Sequence, residues 1–235
     1  MSRAEELASR LDAVRGRIAR AAEAAGRRPD DVGLVVVTKF FPASDVAALH
    51  ALGVREVGEN RHQEAEAKAA ELADLAAAGL RWHFIGGLQS NKAAAVARYA
   101  DVVESVDRAK LVAPLGRGAR ERGAEVDVLV QVSLDPPGRD QRAGADPDDV
   151  PALADLVAAE DGLRLRGLMA VAPLGEDPAA AFARLAAVHE RLLADHPGAV
   201  RLSAGMSGDL EQAVAHGATH VRVGSAILGP RPEVR

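Results

Sequence analysis

The sequence repeats one arrangement from residue 34 onward: a short apolar run, a turn, an amphipathic stretch and a glycine before the next apolar run. Four of these glycines, Gly53, Gly79, Gly123 and Gly217, are placed to end a helix in the left-handed conformation. The apolar runs number eight and begin near Leu34, Arg55, Trp82, Val102, Asp127, Arg164, Val200 and Thr219. Eight alternating β and α units predict an α/β fold, a (β/α)8 TIM barrel rather than an open doubly wound sheet.

The residues before the first apolar run predict an extra N-terminal helix. Ser2 and Glu5 have the spacing of a capping box, and the helix is expected to run to about Gly26. Its apolar residues recur at helical spacing: Leu7, Leu11, Val14 and Ile18. Two later stretches carry similar stripes, Val150, Leu153, Leu156 and Val157 in one and Phe182, Leu185, Val188 and Leu192 in the other. No linker, repeat or low-complexity tract interrupts the pattern, so we expect a single domain over residues 1–235.

Composition excludes several classes of function. The chain has no cysteine, which rules out disulfides, a thiolate nucleophile and cysteine-ligated metal sites. A net charge of -5 and an aromatic content of 3% provide neither the basic surface nor the stacking rings that nucleic-acid binding needs. No apolar run approaches the roughly 18 residues of a membrane helix, and the acidic N-terminus is unlike a signal peptide. We therefore expect a soluble cytoplasmic protein that binds neither nucleic acid nor membranes.

The first apolar run ends in a lysine. Leu34–Val37 reads as a strand buried on both faces, and Lys39 follows at the edge where α/β folds place their chemistry. The chain has only four lysines against twenty-five arginines, so a lysine at this position is unusual. An amine can lose its proton and attack a carbonyl, whereas a guanidinium cannot. The alternative interpretation is that Lys39 merely extends from the strand end into solvent.

Two glycine-containing loops near the end of the chain have the character of an anion site. Gly205-Met206-Ser207-Gly208-Asp209 follows the seventh run and Gly224-Ser225 the eighth, and each opens a helix. Barrels commonly hold phosphate in these two loops. The alternative is that the glycines only form tight turns. The other strand-end segments are Gly58-Glu59-Asn60 after strand two, Gly86–Lys92 after strand three and Glu104-Ser105 after strand four.

Lys39 and the two glycine-containing loops are expected to face each other across the C-terminal opening of the barrel. An amine opposite a phosphate-binding site would suit a phosphorylated aldehyde. Pyridoxal phosphate, joined to Lys39 as a Schiff base, is the economical ligand. Competing chemistries lack their motifs, because the seven histidines form no HExxH pair and no serine lies in a G-x-S-x-G elbow. His83 and His220 fall within strands and are expected to be barrel residues rather than metal ligands, and no metal site is predicted.

The sequence resembles the pyridoxal phosphate homeostasis protein family over nearly its whole length. The motifs that carry the resemblance are Val37-Thr38-Lys39, Gly58-Glu59-Asn60 with Gln63-Glu64, Trp82–Gly86 with Leu88–Lys92, Leu165–Met169, Gly205-Met206-Ser207 and Val221–Gly229. The segment from Trp82 to Lys92 is the most specific of them. The resemblance implies the barrel of the alanine racemase N-terminal domain, which is fold type III among pyridoxal phosphate proteins.

The resemblance also implies a set of cofactor contacts. Lys39 would carry pyridoxal phosphate as an internal aldimine, and Asn60 would lie near its phenolic oxygen. Ser207 in one loop, with Gly224 and Ser225 in the other, would hold the phosphate, and Met206 would be a further cofactor contact. Arg222 would approach the pyridine nitrogen, which a guanidinium cannot protonate, so the cofactor would be a weak electron sink. The longest loop, from Asp135 to Asp146, is a candidate lid, and its Arg142-Ala143-Gly144 stands where a Lys-Ser-Gly type motif is common in the family.

Two functions are compatible with such a site. A racemase or decarboxylase of fold type III needs a second acid–base group, which alanine racemases supply as a tyrosine with a C-terminal domain. Here only six residues follow Gly229, and the sole tyrosine, Tyr99, is expected to be a packing residue. A carrier that holds the cofactor without turnover and passes it to apo-enzymes is therefore favoured, and we expect a monomer. A sugar-phosphate barrel enzyme without a cofactor would need Glu59 or Glu104 as its base.

Overall fold

The computed structural model describes residues 2–135 and 143–231. Its strands are β1 (Gly33–Val37), β2 (Glu56–Glu59), β3 (Arg81–Phe84), β4 (Val102–Val106), β5 (Val126–Gln131), β6 (Leu163–Met169), β7 (Arg201–Ser203) and β8 (His220–Val223). Its helices are α1 (Arg3–Ala24), α2 (Ala43–Ala51), α3 (His62–Glu71), α4 (Ala73–Ala77), α5 (Ala93–Ala97), α6 (Val112–Arg122), α7 (Val150–Ala159), α8 (Pro178–Asp195), α9 (Leu210–Ala215) and α10 (Ser225–Leu228). The fold is therefore the predicted α/β alternation.

The eight strands form a closed parallel barrel in chain order. Closure comes from β1, which pairs with β2 on one side and with β8 on the other, Val36 lying opposite Val57 and Val223. The prediction of a (β/α)8 barrel is confirmed, and each strand begins within a residue of its predicted position. The predicted ends of two strands were wrong. Gly58-Glu59 belongs to β2, where it pairs with His83 and Phe84, and Glu104-Ser105 belongs to β4, where the register with β5 shifts between Val103 and Val106.

The predicted extra helix is α1. Ser2 and Glu5 form the expected capping box, and the helix ends at Ala24. Its buried stripe, which includes Leu7 and Leu11, packs in one apolar cluster with side chains of α9 and α10. Arg3 adds polar contacts to the other end of the chain, since its guanidinium binds the Asp45 carboxylate at 2.7 Å and the Leu228 carbonyl at 3.1 Å. The helix thus holds the last βα unit against the first.

The apolar core lies mainly between the barrel and its helices. The predicted stripe of α8 is confirmed, because all four of its residues are buried against the sheet. The stripe predicted for α7 was wrong at one position: Leu156 is 49% exposed, and Ala154 is buried in its place. The barrel interior is different in character, since several inward-facing residues are charged and hydrogen-bonded to one another.

Two further expectations concern membranes and the strand-five loop. Of the helices within residues 2–135 and 143–231, none combines the length and the hydropathy needed to cross a membrane. The predicted lid spans residues 135–146, of which 136–142 lie outside the described residues.

Two helical glycines offer a matched test of packing around the barrel. A Cβ on Gly118 would stand 2.2 Å from the Ala94 carbonyl oxygen, where α5 and α6 cross, whereas a Cβ on Gly16 would meet only the flexible end of Arg20. We expect Gly118→Ala to destabilise the fold by about 1–3 kcal/mol, because overpacking outweighs the gain in helix propensity. Gly16→Ala should stabilise it by about 0.5–1 kcal/mol. Urea unfolding of both variants checks the pair, and a stabilised Gly118→Ala would contradict the observed crossing.

Candidate functional site

Closure of the barrel brings the predicted site residues to one place. Lys39 follows β1, Asn60 follows β2, and Gly224 and Ser225 follow β8, so that they lie at the carboxyl ends of three neighbouring strands. Met206 and Ser207 lie in the loop after β7, the next strand around the barrel. Arg222 belongs to β8 and is buried. The seven residues therefore occur on four consecutive strands at the face where barrel enzymes and binding proteins place their sites.

Lys39 lies in a strained turn. The turn is closed by a hydrogen bond from the Phe41 N–H group to the Thr38 carbonyl at 3.1 Å, and Phe40 has a φ of 71°. Phe40 is the only non-glycine residue with positive φ in the described part of the chain. A bulky residue in this region costs on the order of 1–3 kcal/mol and persists only where the surrounding structure imposes it. The surrounding structure, and not the conformational preference of Phe40 itself, therefore fixes this turn.

The Lys39 ammonium group is available for chemistry. Within residues 2–135 and 143–231 it forms no ion pair or hydrogen bond, and it lies 5.9 Å from the centroid of the Phe40 ring. The guanidinium groups of Arg61 and Arg231 lie 5.1 Å and 4.0 Å from the same centroid. A half-buried amine without a counter-ion suits a nucleophile better than a structural cation.

A buried ion pair holds the backbone just before Lys39. The Lys68 ammonium donates to the Thr38 carbonyl at 3.0 Å and to Glu59 Oε1 at 2.7 Å, and the Thr38 hydroxyl donates to the same Glu59 oxygen at 2.7 Å. Burial raises the pKa of Glu59, and the attraction of Lys68 opposes that rise only in part. The other carboxylate oxygen, Oε2, is buried without a hydrogen-bond partner in the described chain. Lys68 therefore holds the carbonyl of Thr38 and Glu59 holds its hydroxyl, so the pair fixes the residue that precedes Lys39.

The two predicted anion loops meet through their hydroxyls. Ser225 Oγ lies 3.3 Å from Ser207 Oγ. The Asp209 carboxylate fixes the β7 loop by accepting the Met206 N–H at 2.6 Å, and Arg17 of α1 donates to the Ser207 carbonyl at 3.1 Å. Met206 itself is 38% exposed at the rim. Two neighbouring hydroxyls, one from each loop, thus lie where the sequence predicted an anion site.

Gly224 determines how closely the candidate anion site approaches β1, the strand that precedes Lys39. A Cβ on Gly224 would stand 3.0 Å from the Val37 carbonyl oxygen and 3.2 Å from the Val37 Cβ. The end of β8 and the end of β1 are therefore in direct contact at this point. A side chain here would force the Ser225 segment away from the strand that leads to Lys39.

Arg222 is held inside the barrel before any ligand is considered. Its Nη1 donates to Ser203 Oγ at 2.7 Å and its Nη2 to the Ala170 carbonyl at 2.9 Å. The Ser203 hydroxyl in turn donates to Glu104 Oε2 at 2.6 Å. Burial lowers the pKa of Arg222, and Glu104 and Asp209 oppose that shift. The guanidinium keeps its charge, because an arginine side chain does not lose its proton in proteins.

Glu104 belongs to a charged chain that crosses the barrel interior. Its Oε1 lies 2.6 Å from His83 Nδ1, and His83 Nε2 lies 3.5 Å from Glu56 Oε1. Burial alone would raise the pKa of Glu104, but His83, Arg222 and Ser203 lower it to about 2. Burial likewise opposes protonation of His83, yet the two carboxylates raise its pKa. His83 is therefore held between two carboxylates that favour its protonated form, and no cluster of three or more candidate metal ligands occurs in the described residues.

Asn60 lies at the junction of two strand-end loops. Its side-chain oxygen is buried and has no hydrogen-bond partner among the described residues. A Cβ on Gly86 would stand 2.2 Å from the Asn60 carbonyl oxygen, so glycine allows the loop after β3 to pack directly on Asn60. Buried amide groups are usually paired, and an unpaired one in a strand-end loop is typical of a site that holds a ligand or water.

Sequence reasoning missed the groups that support the site. Lys68 was not assigned a role, although the scarcity of lysine that drew attention to Lys39 applies equally to it. The hydrogen bonds of Glu104 and Glu59 were also missed, because their partners come from distant strands and helices. Lys68 and Glu59 are separated by the β2–α3 junction, while His83 and Ser203 approach Glu104 only in the closed barrel.

The alanine racemase N-terminal domain family matches residues 9–232 of the chain. A pyridoxal phosphate homeostasis protein of Mycobacterium bovis is 49% identical over 97% of this chain and 94% of its own length. The protein of the same name from Escherichia coli K12 is 36% identical over 96% of this chain and 97% of its own length.

Solved structures agree with these relatives. PipY of Synechococcus elongatus with PLP bound has a TM-score of 0.81 and 38% identity, and the match covers 95% of this chain and all of PipY. An alanine racemase of Clostridium difficile has a TM-score of 0.70 at 15% identity and is similar in fold, with 97% of this chain matched to 58% of the racemase. Full-length similarity to PipY and to the homeostasis proteins fixes the family of this chain.

The Glu59–Lys68 pair yields a stability prediction. Lys68→Met should destabilise the fold by about 3–5 kcal/mol, because it leaves a buried carboxylate without its counter-ion. Glu59→Gln combined with Lys68→Met should cost clearly less than the two single changes added together, since neither partner then carries an unpaired charge. Urea unfolding measures the four proteins of this cycle. The exposed pair Arg98–Glu121 is the control, and Arg98→Met should cost less than about 1 kcal/mol; additivity in the Glu59–Lys68 cycle would refute the coupling.

Proposed function

The chain belongs to the pyridoxal phosphate homeostasis protein family, and on that premise we propose that it binds pyridoxal phosphate through Lys39 and carries it without turnover. The relatives that bear this name span nearly the full length of the chain. PipY, with 38% identity, is recorded with PLP bound. The observation that carries the proposal is a lysine without a counter-ion at the end of β1, in a barrel that also presents paired hydroxyls after β7 and β8.

The residues at this face fit the cofactor. Lys39 supplies a primary amine, and the hydroxyls of Ser207 and Ser225, 3.3 Å apart, suit the phosphate oxygens. The Gly224 backbone passes close to β1, so the phosphate end and the amine end of the site belong to adjacent strands. The unpaired side-chain oxygen of Asn60 provides a hydrogen-bond acceptor at the end of β2, the other neighbour of β1. We assign the cofactor contacts to these residues together with Met206 and Arg222.

Each side chain has a separate task in this proposal. When bound, the cofactor supplies an aldehyde that condenses with a primary amine and releases water. Lys39 provides that amine, and the Thr38 carbonyl that precedes it is fixed by Lys68. Arg222 presents N–H donors that cannot transfer a proton to a ring nitrogen, so it orients the ring without increasing its electron demand. Ser207 and Ser225 retain the phosphate.

The state of the other ionisable groups favours a carrier over a racemase or decarboxylase. Both oxygens of Glu104 are bound, to His83 and to Ser203, and Oε1 of Glu59 accepts from Lys68 and Thr38, so each carboxylate is engaged with structural partners. Tyr99 stacks on His62 with ring centroids 5.9 Å apart, and burial raises the pKa of its hydroxyl. The same engagement of Glu59 and Glu104 argues against a cofactor-free sugar-phosphate enzyme.

Several expectations stay predictions. They are a single domain over residues 1–235, a monomer, a cytoplasmic location, and delivery of the cofactor to apo-enzymes that depend on pyridoxal phosphate. Delivery follows from the chemistry of a reversible bond: an amine that holds an aldehyde by condensation releases it again to water or to another amine.

A spectrum tests the attachment at Lys39. Protein incubated with pyridoxal phosphate and separated from the excess should absorb in the visible range as a Schiff base, and borohydride should fix the cofactor to a peptide containing Lys39. Lys39→Ala should lose this absorbance, because no other amine replaces the one at the end of β1. Lys110→Ala, which changes a lysine of another region, is the control. Retention of the full spectrum in Lys39→Ala would place the attachment elsewhere.

A turnover assay tests the carrier interpretation. Cofactor-loaded protein should neither racemise nor decarboxylate a panel of amino acids above the rate of free pyridoxal phosphate, because the carboxylates near the site are committed to structural partners. Chiral chromatography and carbon dioxide release measure the two reactions. Release should be tested separately, by activation of an apo-enzyme mixed with the loaded protein. Sustained turnover that disappears in Lys39→Ala would establish the enzyme alternative.

A further inference from the structure

A second cavity lies beside the candidate cofactor site, between the loops after β2 and β3. Its volume is about 390 Å³. The lining is drawn from two chain segments and consists of Asn60, Arg61, His62, Gln63, Phe84, Gly87, Leu88, Gln89 and Lys92. Of the assigned cofactor contacts only Asn60 lines it, whereas Lys39, Ser207, Arg222 and Ser225 do not, so the two sites share a single wall. A cavity of this size accommodates a small organic molecule.

The charges of this cavity have one sign. Arg61 and Lys92 line it, and no aspartate or glutamate does. Arg61 is paired with Glu64 at 3.0 Å on the surface, but the half-buried Lys92 ammonium has neither an ion pair nor a hydrogen bond within the described ranges. Its charge is therefore available to a ligand.

The walls of the cavity are preformed. Gly86 allows the loop after β3 to pack directly on the loop after β2, because any Cβ at this position would collide with the Asn60 backbone. The buried side chains of Phe84 and Leu88 provide an apolar floor, and Gln63 and Gln89 add amide groups at the rim. A Cβ on Gly87, in contrast, would meet no atom within 4 Å, so the space over this residue is open.

We propose that this cavity binds a small organic anion carrying a carboxylate or phosphate group, with Lys92 as its principal counter-ion. The segment Gly86–Lys92 follows the strand that contributes His83 to the barrel interior, yet the proposed cofactor site uses none of its residues. A binding role for the segment accounts for the cation without a partner, the open space over Gly87 and the apolar floor together. Because Asn60 lines both the cavity and the proposed cofactor site, an anion bound in the cavity lies next to the bound cofactor.

The ligand class follows from the lining. An ammonium and a guanidinium favour oxyanions, amide groups favour hydrogen-bonding substituents, and Phe84 and Leu88 favour a short carbon skeleton. Inorganic phosphate is small for the whole volume, whereas a dicarboxylate of a few carbons fills more of it. The inference does not depend on attachment of the cofactor at Lys39, although both sites share the wall formed by Asn60.

Backbone amide NMR tests the proposal. Labelled protein is titrated with succinate and, separately, with inorganic phosphate at constant ionic strength set by sodium chloride. The amide signals of Gly87 and Gln89 should shift saturably, while those around Lys110 stay in place. Signals of Ser207 and Ser225 report the candidate phosphate site independently. A response at Ser207 and Ser225 alone supports only the proposed cofactor site, and a response at Gly87 and Gln89 alone supports only this inference.

Two variants test the cavity by different changes, one of charge and one of volume. Lys92→Met removes the counter-ion and should weaken the apparent affinity about tenfold, the loss expected for one charge-assisted hydrogen bond. Gly87→Leu keeps both cations but fills the open space, and should abolish saturable binding. Lys110→Met should bind like the wild type. The inference is overturned if neither anion gives a saturable shift at Gly87 and Gln89, or if both cavity variants bind as tightly as the wild type.

Discussion

The hydrogen bonds between β1 and β8 determine where every functional group of this protein lies. They pair Gly33 with His220 and Val36 with Val223, and so join the first βα unit to the last. Without them Lys39 and Ser225 belong to opposite ends of the sheet. With them, the amine and the paired hydroxyls follow neighbouring strands, and α1 can pack across the seam because Arg3 and Arg17 reach both sides of it.

Closure also creates an interior that must be filled, and this chain fills much of it with charge. At the N-terminal end of the strands, Asp127 accepts hydrogen bonds from Arg81 at 2.8 Å and from Arg164 at 2.7 Å. Nearer the candidate site, Glu104 is shared between His83 and Ser203. Buried charges tolerate few arrangements, since each must keep its partner. The position of Arg222, which depends on Ser203, is therefore set by the barrel before any ligand binds, as preorganised sites require.

The sequence predicted the barrel well because its signals are local and repeated. Each apolar run is preceded by a glycine or a short polar turn, and the left-handed conformations found at Gly53, Gly79, Gly123 and Gly217 agree with those boundaries. Prediction was weaker where polar residues continue a strand, as at Gly58-Glu59, because a charged residue buried inside a barrel looks the same in sequence as one in a loop. The partners of Glu59 and Glu104 could not be predicted, since long-range ion pairs leave no periodic pattern. The predicted site residues were brought together by the strand order alone.

The proposed function gives a chemical reason for the small number of lysines in the chain. An aldehyde condenses with any accessible neutral amine, whereas a guanidinium does not compete with it. Of the four lysines, Lys68 is held by Glu59 beneath the turn, and Lys92 lies in the neighbouring cavity. Twenty-five arginines supply most of the remaining positive charge. A chain of this composition offers a reactive aldehyde few amines besides Lys39. The small number of lysines therefore adds to the selectivity for Lys39 that the surrounding residues provide.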